Sequence, residues 1–238
     1  MTEELFRQDA YLNTCEATVL SSGPDGIVLD RTVFYPVGGG QPGDSGSLTW
    51  DGGTCAIADT VKAADGTAIA HIPADGAVLP PAGTPVTAAI DWDRRHRHMR
   101  MHTAMHLVCA VVTGDVTGGQ VGADKSRLDF NLPAGAIDKD AIAAAVNGLI
   151  AANHPVTARW IADAELAARP ELVRTMSVKP PIGSGRVRLL QIGPDDAPVD
   201  LQPCGGTHVA ATGEIGPITV GKVENKGKQN RRINILLG

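Results

Sequence analysis

Aromatic residues are scarce: three Phe, two Tyr and three Trp in 238 residues. So few rings do not make the base-stacking platform of single-strand nucleic-acid binders. Cysteine is limited to Cys15, Cys55, Cys109 and Cys204, with no CxxC pair. Scattered thiols of this kind read as free or as metal ligands rather than as a disulfide framework. No apolar run approaches the ~18 residues that a membrane-crossing helix needs. The opening MTEELFRQDAYLNT has two early acids and lacks the apolar stretch of a secretory signal. A cytoplasmic protein without a membrane partner is therefore expected. Basic residues are not in excess either. Lys plus Arg is 21 against 26 for Asp plus Glu, a formal charge of −5, which argues against an indiscriminate polyanion binder.

The residues that are present specify a globular α+β protein. A hydrophobic content of 43% supports a core, and the length suits one large domain or two small ones. Up to residue 91 the chain alternates short apolar runs with turn signals: ATVL (17–20), GIVLD (26–30), GSLTW (46–50), CAIADTV (55–61), TAIAHI (67–72) and TPVTAAIDW (84–92). That rhythm predicts a small β-barrel or sandwich. From Asp93 to Val112 there is no Gly or Pro, and Met101, Met105, Val108 and Val112 recur at helical spacing, so one helix of about 20 residues is expected. A strand at 126–132 follows. Asp138 then caps an Ala-rich helix over 138–154 that Pro155 ends. Strands at 156–161 and 186–192, a short helix at 162–168, the stretch 198–209 and two C-terminal strands complete the second part. The boundary is placed at about residue 91, giving domains 1–91 and 92–238.

The sharpest chemical signal is a pair of motifs about 100 residues apart, HTAMH (102–106) and CGGTH (204–208). Residues i and i+4 of a helix share a face, so His102 and His106 can bind one ion. Cys204 and His208 flank a Gly-Gly pair that allows a tight turn. Three imidazoles and a thiolate form a mixed N/S set that suits Zn²⁺. The helix carries a longer stripe, however: His98, His102, His106 and Cys109, any neighbouring pair of which could serve. Cys55 and Cys109 sit in apolar runs and read as buried hydrophobes. Thr103 stands where a zincin HExxH would have Glu, which excludes a conventional metalloprotease. The run Gly38, Gly39, Gly40, Gln41 is neither GxGxxG nor a phosphate-binding loop. It reads as a tight turn or as a place of close ligand approach. Nine of the 21 basic residues fall in two stretches. One holds Arg94, Arg95, Arg97 and Arg100; the other holds Lys222, Lys226, Lys228, Arg231 and Arg232. Each leads into or follows a candidate ligand motif, and such residues make most phosphate contacts. An RNA partner is compatible with the acidic total on those grounds.

Five ordered segments resemble the AlaX family of alanyl-tRNA editing proteins: 30–46, 94–108, 117–130, 203–209 and 222–233. The chain looks like the medium-length form, a free-standing relative of the editing domain of alanyl-tRNA synthetase. The resemblance implies a small N-terminal β-barrel followed by the α+β editing fold shared by alanyl- and threonyl-tRNA synthetases. It places His102, His106, Cys204 and His208 at the zinc-ligand positions, one Zn²⁺ per chain. It places Thr103 and Gln120 at the aminoacyl pocket, and Gly38, Gly39, Gly40 and Gln41 at a glycine-rich motif serving the tRNA or the pocket. Arg94, Arg95, Lys226, Lys228, Arg231 and Arg232 are the candidate tRNA contacts. Ala123 departs from synthetase editing domains, which often carry Ser there. The implied reaction is hydrolysis of the ester of mischarged tRNA for alanine, Ser-tRNA-Ala with Gly-tRNA-Ala as a second candidate. A contact from Thr103 or Gln120 to the seryl hydroxyl would let the site spare Ala. A non-catalytic RNA-binding module with a structural zinc uses the same residues and is the alternative.

Overall fold

A computed structural model describes residues 2–63, 66–133, 135, 137–174 and 185–238. The chain divides into two compact units, Met1–His96 and Arg97–Gly238. The strands of the first unit are β1 (Glu3–Glu4), β2 (Thr14–Gly23), β3 (Gly26–Leu29), β4 (Arg31–Thr32), β5 (Gly46–Trp50), β6 (Gly53–Lys62), β7 (Ile69–Pro73) and β8 (Pro85–Ile90). Six of them close a barrel in the order β2-β3-β7-β6-β5-β8. Burial alternates along β2 and β8, as the period of a strand requires. The inward residues, among them Val19, Ile27, Leu29, Leu48, Ile57 and Val86, form one apolar cluster. Cys55 lies in it fully buried, a small hydrophobe as its apolar run implied.

Helix α1 (Trp92–Val111) follows, within one residue of the expected 93–112. The unit boundary falls inside this helix, five residues after the position expected from composition. Its first turn is tied to the barrel unit by two arginines. Arg94 Nη1 donates to Gly43 O at 2.5 Å. Arg95 is completely buried and its guanidinium grips the Asp44 carboxylate through Nε at 3.0 and 3.1 Å and through Nη2. Its remaining donors go to Ala10 O and Val33 O at 2.9 and 2.7 Å. Asp44 also accepts from Tyr35 N at 2.6 Å. A charge so far from water is tolerated because each of its three nitrogens finds an acceptor and the carboxylate neutralises it. Arg95 was expected at the RNA surface; the structure corrects this, since a guanidinium with no exposed area cannot meet a phosphate.

The second unit holds β9 (Asp115–Gln120), β10 (Lys125–Asn131), α2 (Lys139–Ala151), β11 (Val156–Ala162), α3 (Asp163–Ala167), β12 (Arg186–Ile192), β13 (Asp200–Pro203), β14 (Ile218–Gly227) and β15 (Asn230–Leu237). They build a four-stranded sheet, β14-β15-β10-β9, and a three-stranded sheet, β11-β12-β13. Asp138 caps α2 by accepting from Asp140 N and Ala141 N. The helix stops at Ala151, before Pro155 is reached, and Asn153 takes a left-handed φ of 51°. Strand β9, DVTGGQ, was not anticipated, because two glycines depress strand propensity. A Cβ at Gly119 would stand 3.4 Å from Met105 Cε of α1 and from Leu128 Cδ2, so this face of the strand turns toward α1. The sequence's reading of an α+β protein with an N-terminal barrel agrees with this architecture. Among the described residues, no helix is long and apolar enough to cross a membrane.

Replacing Asp44 by Ala leaves the Arg95 charge buried and unpaired. Denaturant unfolding should show a loss of about 3–5 kcal/mol. A loss under 1 kcal/mol would mean that the pair does not anchor the helix start.

Candidate metal centre

Four side chains from two distant parts of the second unit converge. His102 and His106 come from successive turns of α1, with ring centroids 5.4 Å apart. Cys204 and His208 come from the loop after β13. The His208 ring centroid lies 4.4 Å from that of His102 and 5.0 Å from that of His106. Cys204 Sγ is 3.2 Å from His208 Nε2 and 3.6 Å from His102 Nε2. One ligand atom of each residue lies within 4.8 Å of every other. A tetrahedral ion held by imidazole and thiolate at bonds of about 2.0–2.3 Å sets its donors roughly 3.3–3.6 Å apart. The four residues therefore fit one such ion with little movement. Among the described residues this cluster contains neither His98 nor Cys109, which resolves the helical stripe in favour of its central pair. Burial pushes the Cys109 thiol up to about 12, consistent with a small hydrophobe.

The tautomers are set by partners behind the rings. His106 Nδ1 is 2.8 Å from Asp200 Oδ2, so the Nδ1 proton points to the carboxylate and Nε2 faces the cluster. Asp200 is held by Gln202 Nε2 at 3.0 and 2.8 Å. His208 Nδ1 lies 3.2 Å from Thr103 Oγ1. That hydroxyl donates to Met99 O at 2.9 Å and accepts from Val209 N at 3.3 Å. A hydroxyl has one proton and two lone pairs, so with Nδ1–H of His208 donating to it Thr103 is saturated. The expectation that Thr103 touches the substrate is corrected: it is completely buried and fixes a histidine ring instead.

The loop that carries Cys204 is clamped by Arg188. Its Nη1 donates to Cys204 O at 2.9 Å and to Gly206 O at 3.1 Å, while Cys204 N donates to Arg188 O. Gly206 N points at Cys204 Sγ from 3.5 Å. Burial alone would raise the Cys204 thiol, but His102, His208 and His106 outweigh it and hold it well below its usual range. Burial likewise opposes charge on His106, yet Cys204 and Asp200 hold it up at about 10. Burial pushes His208 down to about 3. Binding a cation displaces the proton from His106 Nε2, and a thiolate facing neutral imidazoles is the form in which these side chains bind divalent cations such as zinc.

The other expected site residues are dispersed. Gln120 pairs across the sheet with Arg127, and its Oε1 accepts from Arg127 Nε at 3.1 Å. Its neighbour Gly119 faces Met105 of α1, so Gln120 points to the opposite face of the sheet. Its expected place in the aminoacyl pocket is corrected on that ground. Arg231 is also corrected: it is 3% exposed and caps the β14–β15 turn through Gly227 O, Asn230 O and Lys228 O. Arg232 is bound to both oxygens of Asp129 at 2.7 and 2.9 Å. Lys226 and Lys228 are exposed, Lys226 beside Glu224 at 2.8 Å. In the barrel unit, Gly38 and Gln41 exchange backbone hydrogen bonds around Gly39 and Gly40, whose φ values are 57° and 85°. This is a tight turn whose positive φ values favour glycine. Gly39 and Gly40 are exposed, Gly38 is half-buried, and Gln41 is completely buried. Asp200 and Arg188 were missed because neither lies in a recognisable motif.

Comparison with known proteins bears on this site. Residues 187–234, which contain Cys204 and His208, match the threonyl and alanyl tRNA synthetase second additional domain. Residues 8–94 match the class II (A) tRNA synthetases. The chain is 40% identical to the alanyl-tRNA editing protein AlaX-M of Methanosarcina acetivorans over 100% of this chain and 99% of that protein. It is 33% identical to AlaX-M of Saccharolobus solfataricus over 98% of each. It is also 40% identical to the alanine–tRNA ligase of Pyrobaculum aerophilum, covering 94% of this chain and 25% of the ligase.

Removing the carboxylate behind a metal-bound histidine usually costs 10–100-fold in metal affinity. Asp200→Ala should therefore weaken Co²⁺ binding, followed by its visible absorption, by about 10–100-fold. Cys204→Ala should abolish the thiolate-to-metal absorption band. Unchanged affinity in Asp200→Ala would show that the carboxylate does not orient His106.

Proposed function

The chain belongs to the AlaX-M alanyl-tRNA editing proteins, and from that premise we propose that it is a cytoplasmic hydrolase that deacylates mischarged tRNA for alanine. The convergence of His102, His106, Cys204 and His208 carries this reading. Three imidazoles and one thiolate favour Zn²⁺, one ion per chain. When bound, zinc would supply a fixed positive charge at the site, and Lewis acidity toward the ester would require it to accept a fifth donor beyond its four protein ligands. Asp200 and Thr103 hold His106 and His208 with Nε2 inward, and Arg188 holds the Cys204 loop in place. The products are the free amino acid and a tRNA with its 3′ end restored.

The chemistry answers a discrimination problem. A synthetic site shaped for alanine rejects smaller Gly by only about 1–3 kcal/mol, and it rejects Ser weakly because Ser merely adds a hydroxyl. A second site that hydrogen-bonds the hydroxyl selects in the opposite direction, since Ala leaves that partner unpaired. On that logic Ser-tRNA-Ala is the preferred substrate and Gly-tRNA-Ala the lesser one, with the partner of the seryl hydroxyl a group other than Thr103 and Gln120. For the RNA itself, Lys226 and Lys228 offer exposed charge, and the Gly39–Gly40 turn offers backbone that a ribose-phosphate chain can approach closely. Arg95 and Arg231 have no part in this reading.

Zinc-loaded wild type should hydrolyse Ser-tRNA-Ala faster than Ala-tRNA-Ala by up to about 10⁴-fold, the range open to hydroxyl recognition. Cys204→Ala should lose both zinc and activity. Survival of the seryl ester in the presence of stoichiometrically zinc-loaded protein would contradict the reading and favour a non-catalytic RNA-binding module.

A further inference from the structure

Trp160 is placed against its hydrophobicity. Its neighbour Ile161 enters a core with Leu166, Leu172, Val187 and Leu189. Trp160 therefore points to the other face of β11, where it stays 43% exposed. The Arg186 guanidinium lies over its ring, 4.7 Å from the centroid. In a chain with three tryptophans, an indole left in solvent beneath a planar cation has the chemistry of a ring-stacking surface.

The register of the sheet says what that surface adjoins. Trp160 pairs with Arg188 and Ala162 with Arg186. Leu190 pairs with Gln202 and Ile192 with Asp200. All of these share one face of the sheet, the face from which Asp200 reaches His106. Cys204 N bonds Arg188 O, continuing the register by two residues. Trp160 on β11, Arg188 on β12 and Cys204, one residue past the end of β13, thus form a row. Two strand spacings, roughly 10 Å, separate the first from the last. That separation is comparable to the span from the base to the ester of an aminoacylated nucleoside.

We propose that Trp160 and Arg186 seat the terminal nucleobase of a 3′-aminoacylated RNA, with Arg188 lying between the base and the ester at the metal centre. The inference rests on the reading of that centre as an ester-hydrolysing site. The base stacks on the indole, while Arg186 adds a stacking plane and positive charge for the adjoining phosphate. A chain poor in aromatics cannot offer a platform for many bases, but one terminal base needs only one ring. Such a seat explains how a small amino-acid ester could be held in register: the base is a larger handle than the seryl or glycyl group and lies on the same nucleoside.

The test uses the full-length zinc-loaded protein and a non-hydrolysable probe, 3′-seryl-amido-3′-deoxyadenosine, with binding followed by calorimetry. A second probe lacks the base and keeps the ribose and the seryl amide. Trp160→Ala should bind the adenosine probe about tenfold more weakly than wild type, the loss of one base–ring stack. Trp160→Phe should recover most of that loss, and zinc content should be equal in all three proteins. The base-free probe should bind wild type and Trp160→Ala alike. Equal affinity of wild type and Trp160→Ala for the adenosine probe, no binding by wild type, or a penalty that persists on the base-free probe would overturn the seat. Wild type that spares Ser-tRNA-Ala yet binds the adenosine probe through Trp160 would overturn the hydrolase reading alone and leave the seat standing.

Discussion

The second unit depends on holding a helix face against a loop nearly 100 residues later in the chain. His102 and His106 are useful only if Cys204 and His208 arrive within about a bond length of a common point. Arginine, aspartate and threonine orient these groups by hydrogen bonding, on a helix whose Met99, Met101, Leu107 and Val108 are buried in apolar packing. Arg188 clamps the backbone of the loop. Asp200 turns one imidazole and Thr103 another. Each bond is short-range and directional, so the donor geometry is set before any cation is considered. The thiolate is then held at low pKa by the same imidazoles that share the site with it. Preorganisation of this kind lowers the conformational cost of binding an ion and favours one coordination geometry over others.

Charge is distributed by the same logic. The two basic stretches suggested an RNA surface, yet several of their members are internal fixtures. Arg95 neutralises Asp44 inside the barrel unit, and Arg231 closes a hairpin turn. Arg232 and Arg127 both bind Asp129. The basic charge left at the surface includes Lys222, Lys226 and Lys228 near the β14–β15 turn and Arg159 and Arg186 on the three-stranded sheet. A protein of net negative charge that binds RNA locally needs few contacts in the right places, together with an acidic remainder that disfavours others.

Much of this was legible in the sequence. Gly- and Pro-free spacing from Asp93 to Val112 marked α1 almost to the residue, and short strands between turn signals marked the barrel. HxxxH with a later CxxxH pointed to the converging set, although the residues alone did not choose between the pairs of the helical stripe. What stayed hidden has physical causes. Strand β9 hides in the sequence because Gly118 and Gly119 depress its strand propensity, and its pairing with β10 is visible only in the sheet. Arg95 looked like one of a surface cluster because its partner, Asp44, lies 51 residues earlier. Thr103 looked like a substrate contact because sequence shows its neighbours along the chain but not its hydrogen bonds to Met99 and His208. Asp200 and Trp160 stand in ordinary strand sequence, and only cross-strand register puts them on the face of the metal centre.

X-ray absorption at the zinc edge of the purified, zinc-loaded protein tests the central claim most directly, because it reads the ligand set without reference to activity. The account predicts one zinc per chain with a single sulfur at about 2.3 Å and three nitrogens at about 2.0–2.1 Å. A shell with no sulfur, a shell with two sulfurs that draws in Cys109, or zinc well below one per chain would contradict it.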